Sequence, residues 1–131
     1  MNIDNRISNE IRDLICQSED LLSIDWDCCA FVFDTSDGAT SNSGFVYYGE
    51  KCIPAIADIE NSPLVIDEKI QQLRSVVFKE CGDKFKQVLV QIEKESGRSK
   101  IDFDFEFEDA NRWTIVPPKM KEMRETLRPK F

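Results

Sequence analysis

The chain has 131 residues, 41% hydrophobic and 32% charged, which is the composition of one globular domain over residues 1–131 and not of a disordered segment. Lys and Arg number 17 against 25 Asp and Glu, a net charge of −8, which disfavours direct binding to nucleic-acid phosphate and favours a basic partner. Histidine is absent and the 5 glycines form no phosphate-cradling loop, so imidazole catalysis, His-rich metal sites and nucleotide loops fall away; the chain reads as a non-enzyme without a cofactor.

The N-terminus, Met1-Asn2-Ile3-Asp4, lacks the basic and apolar regions of a secretory leader. No apolar run reaches the roughly 18 to 20 residues that span a bilayer. The five cysteines, Cys16, Cys28, Cys29, Cys52 and Cys81, are odd in number and show no CxxC spacing, so neither a zinc site nor a disulfide framework is indicated. Together these features predict a cytoplasmic chain with reduced thiols and no membrane partner.

In chain order, residues 3–17 predict a helix, with Ile3, Ile7, Ile11, Leu14 and Ile15 on one stripe. Leu21, Leu22 and Ile24 extend it or pack the turn after it. Residues 26–34 predict a strand, apolar on both faces and therefore central in its sheet. Residues 35–44 have turn composition with Asp37-Gly38 as the tip, and this long loop is expected to be the least ordered part of the domain. Phe45-Val46-Tyr47-Tyr48 is the returning strand. Pro54 and Pro63 bracket a mixed stretch that reads as loop with one helical turn at most. Residues 65–81 predict a helix with Ile66, Ile70, Leu73, Val77 and Cys81 as its seam and Gly82 just past its end.

Residues 88–92 predict a strand, Ser96-Gly97-Arg98-Ser99 a turn, and residues 100–108 the second arm of a hairpin. That arm alternates: Ile101, Phe103, Phe105 and Phe107 on one face, Asp102, Asp104, Glu106 and Glu108 on the other. After Trp113, Pro117-Pro118 opens a last helix docked by Met120, Met123 and Leu127 and ended by Pro129. The order α-β-β-α-β-β-α implies an α+β domain, a single antiparallel sheet of about four strands with packed helices.

The charge is uneven. Residues 117–131 carry five cations against two carboxylates, net +3, which leaves −11 for the rest of the chain. Carboxylates at alternate positions of one strand stand roughly 6.5 Å apart and repel. Three roles suit them: a solvated face that blocks edge-to-edge aggregation, a patch for lysines and arginines of another protein, or a site for Mg²⁺ or Ca²⁺. A glycosidase pair is a further reading of Asp102 and Asp104, since inverting enzymes hold their carboxyls about 6.5 to 9.5 Å apart. On the charge argument the partner-binding residues are Asp102, Asp104 and Glu106, with Asp58 and Glu60. Of Tyr47 and Tyr48, neighbours on a strand, the outward one is an interface anchor. Trp26 and Trp113 read as core.

The run Lys100-Ile101-Asp102-Phe103-Asp104-Phe105-Glu106-Phe107-Glu108-Asp109, followed by Arg112-Trp113, resembles the end of the hairpin in the YezG-like immunity proteins, as do Pro118, Met120, Met123 and Leu127-Arg128-Pro129 its C-terminal helix. The resemblance is motif-like over 100–129, and residues 35–64 do not match. It implies an antitoxin of polymorphic or contact-dependent toxin systems: a small bacterial cytoplasmic protein that binds and neutralises a cognate secreted toxin domain, often a nuclease, made by the same cell. Two other classes stand beside it, a structural or regulatory adaptor using the same acidic face and a carboxylate-dependent hydrolase.

Overall fold

The computed structural model describes residues 3–36, 39–95 and 98–130. The expected turn tips at Asp37-Gly38 and Ser96-Gly97 lie outside the described residues. Helix α1 covers Asn5–Cys16, α2 Glu19–Leu22, α3 Val65–Cys81 and α4 Met120–Thr126, preceded by a 3-10 turn at Pro117–Lys119. Strands β1 (Cys28–Asp34), β2 (Ser41–Tyr48), β3 (Lys51–Ala55), β4 (Gln87–Glu95) and β5 (Arg98–Glu106) form one antiparallel sheet in the order β3-β2-β1-β4-β5.

β1 is the centre strand, and its pleat divides two cores. Cys29, Phe31 and Phe33 point to the layer of α1 and α3, where Ile11, Ile15, Ile66, Ile70, Leu73 and Val77 meet them. Cys28, Ala30 and Val32 point the other way, onto Phe45, Tyr47, Leu89, Trp113, Met123 and Leu127. An apolar side chain at every position of a strand has this consequence: helices or coil must cover both faces. Trp26 and Trp113 are both core residues, each 4% exposed.

The helices follow their local signals. The Asp4 carboxylate caps α1 by accepting from the Arg6 N–H at 2.8 Å. α3 ends where Gly82 turns left-handed at φ 78° and its N–H donates to the Phe78 carbonyl at 2.8 Å. Leu21 and Leu22 belong to α2, a separate short helix that buries Leu21 and leaves Leu22 exposed.

Three expectations are corrected. The sheet has five strands, because Lys51–Ala55 pairs with β2 and puts Pro54 opposite Phe45. An outermost strand tolerates a missing N–H on its open side, so Pro54 marks an edge and not a loop. Residues 56–64 turn without forming a helix. β2 begins at Ser41, four residues before Phe45, since Ser41, Asn42, Ser43 and Gly44 continue the ladder opposite Asp34, Phe33, Val32 and Phe31.

Candidate protein-binding surface

The second outer strand is β5. Its register places Phe105 beside Val88 and Phe103 beside Val90 on the α1–α3 side, and Asp104 beside Leu89 and Asp102 beside Gln91 on the other. Because no strand lies beyond β5 among the described residues, Ile101, Phe103, Phe105 and Phe107 are only partly buried. Their rings run in a row, with 6.1 Å between the centroids of Phe103 and Phe105 and 6.5 Å between those of Phe105 and Phe107. A groove of about 420 Å³ opens between this row and the first turns of α1, lined by Ile3, Asn5, Ser8, Asn9, Ile101 and Phe103 among others.

The carboxylates on the other side are not equivalent. Asp102 and Asp104 are exposed, and Asp102 has no ion pair among the described residues. Glu106 is committed to the fold. One oxygen accepts the N–H groups of Glu108 and Asp109 at 3.0 and 3.1 Å, and the other accepts from Arg112 at 3.0 Å. The backbone N–H of Glu108, more than the guanidinium, holds its carboxyl below the ordinary glutamate range. Arg112 also reaches Asp104 at 4.0 Å. The row is therefore neutralised in part by the chain's own arginine, most at Glu106 and more weakly at Asp104, and its open negative charge is greatest at Asp102.

Arg112 is placed by a short chain of contacts. Gln87, the buried first residue of β4, accepts the Trp113 N–H at 2.9 Å and donates to the Thr114 hydroxyl at 3.1 Å. Trp113 is thereby pinned into the second core, and the Arg112 guanidinium stacks 4.5 Å from its ring centre. Neither Gln87 nor Arg112 stands out in the sequence as a site residue. The only trace is a cation six residues after Glu106, which has meaning once the turn between them is known.

Asp58 and Glu60 are not part of this surface. They follow β3, four strand spacings from β5, or about 19 Å across the sheet. Asn42 grips Ala57 through both its backbone groups, and the Asp20 carboxylate accepts the Ile56 N–H at 3.0 Å. The Glu19 N–H donates to the Asp58 carbonyl at 3.2 Å. These bonds gather Asp58 and Glu60 with Glu19 and Asp20, two acids that the sequence reading missed. The Glu60 carboxyl beside Glu19 raises the Glu19 pKa.

The tyrosines separate as neighbours on a strand must. Tyr47 is only 1% exposed, and its hydroxyl donates to the Arg124 carbonyl at 2.7 Å. It is a core residue that ties down α4, so of the two tyrosines it is the inward one and not a partner-binding side chain. Burial pushes its phenol up. Tyr48 is the half-buried one, with the Lys51 ammonium 5.9 Å from its ring centre, and it sits on β2, away from β5.

No group of three or more His, Cys, Asp or Glu among the described residues is arranged to hold a metal ion. The cysteines are free thiols, and burial raises the pKa of Cys16, Cys28, Cys29 and Cys52. Among the described residues no helix is long and apolar enough to cross a membrane. The chain matches no family model, and no curated protein is significantly similar to it.

Proposed function

We propose that this chain is an immunity protein that binds a cognate secreted toxin domain, in the first instance a nuclease, and neutralises it in the cytoplasm as a stoichiometric complex and not by catalysis. The observation that carries the reading is the exposed pair Asp102 and Asp104 on an outermost strand, set on a body of net −11. A nuclease holds phosphate with cationic side chains, so its working surface is basic. A fixed negative surface competes for that groove and steers encounter, with association reaching about 10⁸–10⁹ M⁻¹s⁻¹ at low salt.

Protection against a lethal enzyme calls for nanomolar affinity, on the order of −12 kcal/mol. Charge at a rim does not supply this; a packed apolar centre does. The part-buried Phe103 and Phe105, one residue away from the two aspartates on the same strand, are that centre in the present reading.

The test is growth. Cells expressing a toxin domain encoded beside this chain are compared with and without the chain in excess. Rescue together with one-to-one co-purification is the expected result. Killing that persists with the chain abundant and folded overturns the proposal.

A further inference from the structure

The ladder bonds define which way the backbone of β5 points. At the ends of β1 the Thr35 N–H donates to the Lys86 carbonyl and the Lys94 N–H to the Asp27 carbonyl, both at 2.9 Å. Even-numbered residues of β4 therefore turn their backbone groups to β1, and Gln87, Leu89, Gln91 and Glu93 turn theirs to β5. Their partners are Glu106, Asp104, Asp102 and Lys100. The Glu106 carbonyl, which accepts the Lys86 N–H at 2.7 Å, faces β4 as this parity requires, while Lys86 itself, just ahead of β4, splits its N–H and C=O between the two neighbouring strands. The N–H and C=O groups of Ile101, Phe103 and Phe105 consequently face away from the sheet, and none has a hydrogen-bond partner among the described residues. At the near end the Arg12 guanidinium covers the Ser99 carbonyl at 3.5 Å.

Such an edge is a template for another strand, and proteins ordinarily blunt it. The opposite edge is blunted by Pro54 and by its five-residue length. β5 has nine residues and no proline.

We infer that the open edge of β5 accepts an extended segment of a basic partner as a sixth strand, lysines or arginines at alternate positions meeting Asp102 and Asp104 while apolar side chains between them enter the groove beside Phe103 and α1. Charge selects this occupant over a second copy of the chain. Two β5 edges paired antiparallel about Phe103 set Asp102 and Asp104 against each other across the seam, between molecules of net −8. A strand with cations in those positions turns the same repulsion into attraction, and the outward amides add the directional part of the affinity. That the partner is a toxin rests on the function proposed above; the strand addition itself does not.

The probe is a capped eight-residue peptide alternating lysine and valine, titrated against the full chain. Two further versions carry N-methyl groups on all valines or on all lysines. Strand addition predicts that one of these versions binds weaker by about tenfold or more, because only one set of amides faces the protein. It also predicts that the peptide slows hydrogen exchange at Ile101, Phe103 and Phe105, and that Asp102→Lys with Asp104→Lys weakens binding by about tenfold with circular dichroism unchanged. Equal binding of all three peptides, or protection elsewhere on the surface, overturns the inference. So does a free protein that sediments as a dimer with those amides already protected. A chain that captures the peptide but fails to rescue growth retains strand addition and loses the toxin reading. A chain that rescues growth while the three amides stay unprotected in the complex does the reverse.

Discussion

At Gly44 the space for a side chain is already taken by the neighbouring strand. A Cβ there lies 2.0 Å from the Ala30 carbonyl oxygen and 2.8 Å from the Phe31 Cα, both backbone atoms of the central strand. Gly44→Ala is expected to cost about 3 kcal/mol, the upper end for overpacking, as a fall in the urea midpoint without a change in slope. Two glutamates make opposite predictions with pH. Glu106 has a lowered pKa when folded, so its contribution is present above the ordinary glutamate pKa and is lost as pH falls through the lowered one. Glu106→Gln should lower the melting temperature at neutral pH and leave it nearly unchanged in strong acid. Glu19 has a raised pKa beside Glu60, so the folded arrangement is favoured below the ordinary value and loses that advantage as pH rises through the raised one. Glu19→Gln should raise the melting temperature at neutral pH and not in acid. A pH-independent shift in either variant counts against the pairing assigned to it.

Among the elements, α4 depends most on its surroundings. Seven residues are too few for a helix stable by itself, and α4 is held by Met123, by Leu127 and by two bonds from the sheet. The Tyr47 hydroxyl takes the Arg124 carbonyl and the Gln91 amide the Leu127 carbonyl, the latter at 2.8 Å. Tyr47→Phe should cost about 1 kcal/mol and speed amide exchange in α4 before any other helix. Should exchange rise equally throughout, the bond is not what docks this helix. The elements also differ in how far the sequence revealed them. The end of α3 was legible because a left-handed glycine follows Cys81, although Cys81 is exposed and the buried seam stops at Val77, one turn earlier than the spacing predicts. β3 was not, because a proline in a strand is permitted only by the strand's place at an edge, and sheet order is a property of the whole chain.

At the scale of the molecule the decisive quantity is where the net charge of −8 is left open. Arg112 is taken up by Glu106 at 3.0 Å and reaches Asp104 only at 4.0 Å, so the exposed Asp102, and Asp104 to a lesser degree, carry the steering field of β5. Replacing both by lysine should change folding stability by no more than about 0.5 kcal/mol, as exposed positions do. The same change should cut the association rate with a basic partner by about tenfold at low salt and flatten its salt dependence, measured by stopped-flow mixing. A rate that ignores the substitution places the interface elsewhere on the molecule.

Composition, charge, the kinds of helix and strand, and the two-sided character of β1 and β5 are properties of the sequence by itself. They follow from local rules: a pleat alternates every residue and a helix repeats every 3.6, so the side of its element that each residue takes is settled by its neighbours. What the tertiary structure alone decided is which residues meet. It separated Asp58 and Glu60 from Asp102 and Asp104 by the width of the sheet, brought Glu19 to Glu60, and turned Tyr47 inward. It set Arg112 against Glu106 through a buried glutamine, and it left the backbone of Ile101, Phe103 and Phe105 facing outward. Each of these depends on strand order, ladder register and loop closure, which are settled by the packing of all the elements together and by no single stretch of the chain.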